Sequence, residues 1–374
     1  MLMKKHFLII LILLTAFAVR FYKLGSYPDL NADEAAIGYN VYSLIETGKD
    51  EHGNSWPIHF ESFGDFKPGL YFYLALPFIK LLGLTEWAVR IPGAFLGVLT
   101  VWLVSKLINL LFDKKNYSLF TIHYSLGEIA AFFLAISPWH IHFSRGAWEV
   151  NVSTFLITAG IYFFVKTLKN PKHINFAFCI LSFALSLYAY HSARIIIPLL
   201  GTGILIIYRK EILANIKLWL ISGLIGAVLL IPLFKTLFSP AGLSRAAGVS
   251  IFSDPGVIAR INEQRGRYEN PSGFWARALH NKPINYTIEF AQNWIEHYSY
   301  NFLFKSGDEI QRNKVPGVGQ MYLFDFPFLV LGVIFILKSK IINPKSKYLI
   351  FWWLVIAPVA AALTFQSPHA LRSQ

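Results

Sequence analysis

Two adjacent carboxylates, Asp33 and Glu34, are the residues of this sequence best suited to acid–base chemistry. A carboxylate held beside apolar groups can serve as a general base that takes the proton from an attacking hydroxyl. The alternative is structural, because Asn31 and Glu34 have the spacing of a capping box and acidic residues in the first turn stabilise a helix. The sequence therefore predicts either a catalytic pair or the start of a helix at this point.

A lysine among aromatic residues follows in the same segment, Phe63-Gly-Asp-Phe-Lys67-Pro-Gly-Leu-Tyr-Phe-Tyr73. An ammonium group held at a membrane surface suits the phosphate of a lipid-linked ligand. The alternative is an ordinary interfacial lysine that extends toward water beside an aromatic belt. We expect Lys67 to bind a phosphate.

Three arginines lie at the ends of apolar segments, Arg90, Arg145 and Arg194. The topology derived below places them outside, where the positive-inside rule normally depletes cations, and an anionic ligand would explain their presence. We expect Arg145 and Arg194 to bind the same phosphate as the lysine. Arg90, His142 and His191 are further candidates for substrate binding, with anchoring at the membrane interface as the alternative.

A metal site is the other reading of the polar residues His140, His142, Glu149 and His191. Their spacing matches no compact zinc motif, so we expect no metal and no other cofactor. No glycine-rich nucleotide-binding fingerprint is present either, which favours a lipid-linked substrate over a nucleotide.

Composition indicates that all these residues belong to a polytopic membrane protein. Apolar residues make up 55% of the 374 residues and charged residues only 15%, whereas soluble proteins carry about 25% charged residues. The net charge of +13 resides largely in short connections between apolar runs, which favours anionic membrane lipids over nucleic acid as partners. We expect an all-α integral membrane fold that forms one domain over residues 1–374.

Ten apolar runs are candidates for membrane-spanning helices. They cover residues 7–21, 70–84, 88–112, 119–137, 152–168, 174–190, 195–208, 216–238, 320–337 and 347–366. Run 70–84 is short and contains Pro77 and Lys80, whereas a crossing needs about 20 residues. We expect it to lie at the membrane interface, which leaves about nine spans.

The charges of the short connections test this interpretation independently. Twelve cations share the side of Lys4 and Lys5 only if run 70–84 does not cross the membrane. They are Lys114, Lys115, Lys166, Lys169, Lys172, Arg209, Lys210, Lys217, Lys338, Lys340, Lys345 and Lys347. We therefore expect a multi-pass protein of the cell membrane with a cytoplasmic N-terminus and an extracytoplasmic active site.

Two long loops lie on the outer side in this topology, residues 22–87 and 239–319, and loops of this length are usually functional. The first contains an apolar stripe after Asn31 that ends at Gly48, which predicts an interfacial amphipathic helix. The chain ends soon after an apolar run, so we expect a sequence that is truncated at its C-terminus.

These motifs together resemble the bacterial branch of the protein O-mannosyltransferase family, whose relatives include the aminoarabinose transferases that modify lipid A. The resemblance rests on Asp33-Glu34 in a long first loop and on Phe-Gly-Asp-Phe-Lys67-Pro. Three further segments carry it: Trp87-Ala-Val-Arg90-Ile-Pro, Ser-Pro-Trp-His…Ser-Arg145, and Gly307-Asp-Glu…Pro316-Gly-Val-Gly-Gln-Met-Tyr. It covers essentially the whole chain.

The resemblance implies a GT-C membrane fold and a polyprenyl-phosphate sugar as donor. Asp33 matches the catalytic base of the family, with Glu34 beside it, and Lys67 matches the lysine that contacts the donor phosphate. Transfer to an acceptor hydroxyl on a lipid, glycan or protein would follow, with inversion at the anomeric carbon. Two departures argue against protein mannosylation: Lys67-Pro68 stands where eukaryotic members have His-Pro, and no extra luminal domain is visible.

Two other classes of function stay open at the level of sequence. A transporter or flippase of polyprenyl-linked sugars would place ionisable residues within its spans and show repeats or broken helices. Here the spans carry few acidic residues, which favours an enzyme that works at one membrane face. A catalytically silent scaffold is the third class.

Overall fold

Among the described residues, helices form almost all of the regular secondary structure, and one β-hairpin accompanies them. The computed structural model describes residues 2–112, 125–237, 248–339 and 342–373. The first part of the chain contains α1 (Leu2–Phe21), α2 (Ala32–Thr47), β1 (His59–Ser62), β2 (Asp65–Pro68), α3 (Leu70–Leu82), α4 (Glu86–Leu111), α5 (Leu126–Ile136), α6 (Pro138–Arg145), α7 (Glu149–Lys169) and α8 (His173–Ala189). The second part contains α9 (Ala193–Ile207), α10 (Arg209–Ala214), α11 (Ile216–Leu237), α12 (Pro255–Gly266), α13 (Phe274–Leu279), α14 (Lys282–Glu296), α15 (Asp325–Lys338), α16 (Pro344–Ile356) and α17 (Val359–Ala362).

Four helical stretches of the described chain are long and apolar enough to cross a membrane: Glu86–Leu111, Glu149–Lys169, Ile216–Thr236 and Pro344–Ala362. Five shorter apolar helices have 10–17 residues, and they include four of the predicted spans. The predicted number of about nine spans therefore stays a prediction. The start of run 119–137, residues 239–247 of the second loop, and Lys114, Lys115 and Lys340 lie outside the described residues.

Helix α3 coincides with the run that the sequence analysis placed at the interface. Its 13 residues give a length of about 20 Å, well short of the ~30 Å hydrocarbon core. One face is buried, with Tyr71, Phe72, Ala75 and Ile79 at 2% exposure or less. This face packs on α2 and α4. Helix α3 is therefore held against the two helices that carry Asp33, Glu34 and Arg90.

A tight hairpin precedes α3 and fixes the position of Lys67. Strands β1 and β2 pair antiparallel, with Phe60 opposite Lys67 and Ser62 opposite Asp65. The two connecting residues, Phe63 (φ 53°) and Gly64 (φ 71°), both have positive φ, as a two-residue type I′ turn requires. Phe60 is fully buried and stacks on Phe72 of α3, with 4.0 Å between ring centroids.

The junction between hairpin and helix depends on a glycine. The Gly69 amide donates a hydrogen bond of 2.9 Å to the Ile58 carbonyl, and a Cβ at Gly69 would lie 2.7 Å from that oxygen. Only glycine lets the two backbones approach this closely. The hairpin is thereby fastened to the start of α3.

The two larger of four apolar clusters in the described structure join most of the helices around the site. One joins α2, α3, α4 and α7 through residues such as Ile37, Val41 and Val89. The other joins α4, α7, α8, α9 and α16 through residues such as Ile161 and Ile196. The first cluster includes Phe60 of the hairpin and Ile37 of α2. The polar residues of the hairpin and of the first turn of α2 are therefore supported by a packed core.

Candidate active site

The N-terminus of α2 is built as a capping box. The Asn31 side chain accepts a hydrogen bond from the Glu34 amide at 3.0 Å, and the Glu34 carboxylate accepts one from the Asn31 amide at 3.1 Å. At the other end Gly48 caps the helix with φ 72°. The predicted helix and the capping interpretation for Glu34 are confirmed, and the place of this helix at the membrane interface stays a prediction.

Glu34 is also the partner of a buried arginine. Arg90 donates from Nε to Oε1 and from Nη2 to Oε2, each at 2.8 Å, and the Ala147 amide donates to Oε1 at 2.9 Å. Arg90 is fully buried and its Nη1 donates to the Leu24 carbonyl at 2.9 Å. This bidentate pair joins α2, α4 and the start of α7. Its contacts favour a structural role for Glu34 and Arg90 over the catalytic and substrate-binding roles considered from sequence.

Asp33 has different partners from those of its neighbour. Its Oδ1 lies 2.6 Å from Lys67 Nζ, and its Oδ2 lies 3.0 Å from an Nη atom of Arg312. The Lys67 side chain is 9% exposed and that of Asp33 22%. The structure thus brings Asp33 and Lys67 together, as expected, and adds a second cation that the sequence analysis did not single out.

Arg312 reaches Asp33 from a loop 279 residues away along the chain. The loop is fastened at several points: His142 Nε2 lies 2.8 Å from the Arg312 carbonyl, and Asp308 accepts from the Asn313 side chain at 3.2 Å. Asp308 also accepts from the Ala370 amide at 2.7 Å. His142 therefore supports the loop that supplies Arg312.

Two more polar side chains lie beside this group. Glu149, at the start of α7, is 7% exposed and lies close enough to Asp33, Lys67 and Arg312 to interact electrostatically. Tyr190 interacts electrostatically with Asp33, Glu149 and Arg312, and burial raises the pKa of its hydroxyl well above the usual value. Within the described parts of the chain, that buried hydroxyl has no hydrogen-bond partner. It is therefore a donor available to a ligand.

Arg145 forms hydrogen bonds to the end of α1 and to the turn that follows it. Its guanidinium donates to the Val19 carbonyl at 2.7 Å and to the Tyr27 carbonyl at 2.8 Å, and it lies over the Tyr27 ring. These contacts favour an anchoring role for Arg145 over the predicted phosphate-binding role.

Arg194 supports the hairpin through two histidines. It donates to His59 Nε2 at 2.7 Å and to His191 Nδ1 at 3.1 Å. His191 Nε2 in turn donates to the Phe66 carbonyl at 2.9 Å, next to Lys67. The phosphate-binding role predicted for Arg194 and the substrate-binding role for His191 are thus less favoured than a positioning role.

The two histidines of this cluster are held in their neutral forms. Burial, followed by the charge of Arg194, lowers the pKa of His59 to about 4 and that of His191 to about 3. An arginine can only donate, so a neutral ring nitrogen must accept. Arg194 therefore requires both rings to be neutral, and its hydrogen-bond chain to the Phe66 carbonyl runs through His191.

His140 lies apart from the group around Asp33. Its Nδ1 is 2.6 Å from an Nη atom of the fully buried Arg20, whose Nη1 also donates to carbonyls of α1 and α5. Within the described ranges, no three His, Cys, Asp or Glu side chains come close enough to hold a metal ion.

Arg312, Tyr190 and Glu149 are the site residues that sequence reasoning underestimated. Arg312 lies inside the Gly307–Tyr322 segment that carried part of the family resemblance, and Tyr190 lies one residue before His191. Both residues therefore lie in or directly beside positions that the sequence singles out. Neither motif indicated that these side chains would face Asp33.

Three solved structures are similar to this chain. The oligosaccharyltransferase of Archaeoglobus fulgidus, solved with zinc and sulfate, has a TM-score of 0.55 at 14% identity over 98% of this chain and 48% of its own. The same enzyme, AglB, in complex with an inhibitory peptide and a dolichol-phosphate, has a TM-score of 0.51 at 13% identity over 99% and 49%. ArnT from Cupriavidus metallidurans, bound to undecaprenyl phosphate, has a TM-score of 0.48 at 15% identity over 94% and 59%. The chain spans about half the length of the oligosaccharyltransferase it matches.

No curated protein matches the chain. A family model matches part of it. Residues 67–234 match the family described as dolichyl-phosphate-mannose-protein mannosyltransferase. The matched segment begins at Lys67 and includes Arg90, Glu149 and Tyr190. The resemblance inferred from the motifs is confirmed: residues 67–234 match this glycosyltransferase family, and the chain shares the fold of the archaeal oligosaccharyltransferase.

Proposed function

We propose that this protein transfers a sugar from a polyprenyl-phosphate donor to an acceptor hydroxyl at the extracytoplasmic face of the cell membrane. The observation that carries the proposal is Asp33, held between Lys67 at 2.6 Å and Arg312 at 3.0 Å. A carboxylate beside two cations combines a proton acceptor with the charges that a phosphate leaving group needs. Cofactors are not required, because the phosphodiester donor is already activated.

The reaction is a single displacement. The acceptor oxygen attacks the anomeric carbon, the bond from that carbon to the phosphate oxygen breaks, and the acceptor proton passes to Asp33. The products are an inverted glycoside and a polyprenyl phosphate. Negative charge grows on the phosphate as the bond breaks, so Lys67 and Arg312 stabilise the transition state.

Binding of the donor changes the partners of the two cations. Before binding, Lys67 and Arg312 both contact Asp33. The donor phosphate takes over these contacts and leaves the carboxylate to accept the proton. The buried Tyr190 hydroxyl provides a further hydrogen bond to the bound donor.

The test is transfer of labelled sugar by membranes that contain the protein, given a panel of radiolabelled polyprenyl-phosphate sugars. Asp33→Asn preserves the shape of the side chain and lowers the transfer rate by about 10²–10⁴-fold, the usual contribution of a general base. Asp29→Asn is the matched control, an exposed acid of the same loop, and retains activity. Full transfer by a folded Asp33→Asn variant contradicts the assignment.

The transporter alternative predicts a different outcome in sealed vesicles. A flippase moves labelled polyprenyl-phosphate sugar across the bilayer with its bond to phosphate intact. The proposed enzyme cleaves that bond and releases polyprenyl phosphate. Movement of intact donor without cleavage would favour transport.

A further inference from the structure

An apolar groove lies on the side of the molecule formed by α4, α5 and α15. Its volume is about 590 Å³, and its walls include Val104 and Ile108 of α4, Phe133 of α5, and Phe328 and Ile336 of α15. Phe328 is 55% exposed in the described structure, so the groove is open along one side. An exposed surface this apolar is expected to face hydrocarbon, so we take the open side of the groove to face the lipid chains of the membrane.

The dimensions of the groove suit one hydrocarbon chain. Lining residues run along α5 from Leu126 to Leu134 and along α15 from Asp325 to Ile336. At 1.5 Å per residue, the 12 positions on α15 extend about 16 Å. This is about half of the ~30 Å hydrocarbon core, the depth of a single leaflet.

One end of the groove is acidic, although the walls are apolar. Asp325 lines this end and is 6% exposed. Its Oδ2 accepts a hydrogen bond of 2.9 Å from the Tyr322 amide, which accounts for a role at the start of α15. Its Oδ1 is buried and has no hydrogen-bond partner among the described residues. A buried carboxylate oxygen without a donor is costly, so a donor from a bound ligand would stabilise it.

We propose that this groove binds an aminophospholipid, with one acyl chain between α4, α5 and α15 and the primary ammonium group at Asp325 Oδ1. An ammonium group supplies both positive charge and N–H donors, which strengthens a hydrogen bond to a carboxylate. A quaternary choline group has no N–H donor, and an anionic head group is repelled by Asp325. The charge at this end is opposite to that of the Lys67 site, where a phosphate is expected.

The bound lipid contacts elements that lead to the candidate active site. Trp139 of α6 and Met321 line the same end of the groove as Asp325, and the Trp139 amide donates to the Gln320 carbonyl at 3.3 Å. Helix α6 also carries His142, whose ring contacts the Arg312 carbonyl. An occupied groove therefore stabilises the junction between α6 and the loop that supplies Arg312.

The experiment is native mass spectrometry of the purified, delipidated full chain, titrated with dioleoyl phosphatidylethanolamine, phosphatidylcholine or phosphatidylglycerol. The acyl chains are identical, so differences in dissociation constant report on the head group. We expect phosphatidylethanolamine to bind about tenfold more tightly than phosphatidylcholine, the ratio that one charge-assisted hydrogen bond provides. Asp325→Asn, which can still accept from the Tyr322 amide, reduces the ratio to about one.

A second variant tests the groove independently of Asp325. A Cβ at Gly332 meets nothing within 4 Å, so Gly332→Phe places a ring in the groove without a backbone clash. This variant weakens the binding of all three lipids. Gly223→Phe on α11 is the matched control, because a Cβ at Gly223 also meets nothing within 4 Å, and it leaves binding unchanged.

Three results would overturn the proposal. They are equal affinity for phosphatidylethanolamine and phosphatidylcholine in the natural protein, an unchanged preference in Asp325→Asn, and unchanged lipid binding in Gly332→Phe. The last result would identify the bound lipid as adventitious annular lipid only. Thermal unfolding of each variant checks that a loss of binding occurs in folded protein.

Discussion

At the scale of residues, two neighbouring carboxylates have separate partners because they leave the same helical turn in different directions. Glu34 is 1% exposed and closes a bidentate pair with Arg90, whereas Asp33 faces Lys67 and Arg312. A fully paired, buried carboxylate is poorly available to a substrate. The carboxylate of Asp33, whose side chain is 22% exposed, is therefore the one that we propose as the base.

The first prediction concerns the buried pair. Arg90→Gln leaves Glu34 buried without its cation, and such a loss typically costs about 3–5 kcal/mol of folding stability. We expect a lower thermal unfolding midpoint and a lower yield of folded protein in detergent. Arg267→Gln removes an exposed pair with Glu263, whose side chains are 72% and 67% exposed, and serves as the control with little change. Equal stability of both variants would contradict a structural role for Arg90.

The second prediction concerns the second cation. Arg312→Gln removes a charge that stabilises the leaving phosphate and lowers the transfer rate by about 10²–10³-fold, whereas Arg312→Lys retains part of the activity. Arg277→Gln, an exposed arginine of α13 in the same large loop, is the control. If Arg312→Gln transfers sugar at the natural rate, the cation at Asp33 Oδ2 has no role in catalysis.

At the scale of elements, the hairpin positions Lys67 and is supported on both sides. Its turn requires positive φ at Phe63 and Gly64. Phe60 packs on α3, and the chain from Arg194 through His191 reaches the Phe66 carbonyl. Lys67 is therefore held in place by the turn, the packed Phe60 ring and the hydrogen-bond chain through His191. None of these supports includes its ammonium group.

The third prediction concerns the turn. A Cβ at Gly64 meets nothing within 4 Å, so the effect of Gly64→Val comes from φ alone. A β-branched residue in this conformation costs about 1–2 kcal/mol, which favours opening of the hairpin. Hydrogen exchange over residues 59–68 is expected to accelerate about tenfold. Gly64→Asn, which tolerates positive φ, is expected to exchange at nearly the natural rate, and equal exchange in both variants would argue against the turn type.

The fourth prediction concerns pH and the two neutral histidines. The folded pKa values of His59 and His191, about 4 and about 3, lie below the unfolded value of about 6.5. The unfolded form therefore binds more protons as the pH falls from about 6.5 toward 4, and the stability that these residues contribute above 6.5 is lost in that window.

Thermal unfolding between pH 7.5 and 4.5 measures this effect. The double variant His59→Gln, His191→Gln keeps acceptors for Arg194 but cannot titrate, so its unfolding midpoint depends less on pH than that of the natural protein. His52→Gln, whose side chain is 45% exposed, is the control. An identical pH dependence in the natural protein and the double variant would exclude these histidines as the cause.

At the scale of the whole molecule, the candidate site is assembled by segments from opposite ends of the chain. The first loop supplies Asp33 and Lys67, the start of α7 supplies Glu149, and a loop near residue 312 supplies Arg312. Asp308 connects that last loop to the Ala370 amide. These segments meet at one face only if α3 does not cross the membrane.

The fifth prediction tests that arrangement by cysteine labelling in intact cells. Cys179 is the single cysteine and is buried, which leaves little background. Phe63→Cys before α3 and Leu84→Cys after it, at positions now 77% and 48% exposed, should both react with an impermeant maleimide. Asn170→Cys should react only after permeabilisation. Labelling of Phe63→Cys and Leu84→Cys from opposite sides would show that α3 crosses.

The sequence by itself determined the local features of this protein. The capping box at Asn31 and Glu34, the end of α2 at Gly48 and the abundance of apolar helices follow from hydrogen bonds and periodicities within a few residues. The family match over residues 67–234 likewise agrees with motifs read from short segments. Lys67 was identified as a candidate because its neighbours in the chain are aromatic.

Only the tertiary structure decided which cations face Asp33. Arg90, Arg145, Arg194 and Arg312 are equivalent by residue type, yet it is Arg312 that lies 3.0 Å from this carboxylate, beside Lys67. The partner of an arginine depends on how distant helices and loops pack, and a contact across 279 residues leaves no local pattern. The same reason applies to the groove. Asp325 lines it only because α4, α5 and α15 come together in the fold.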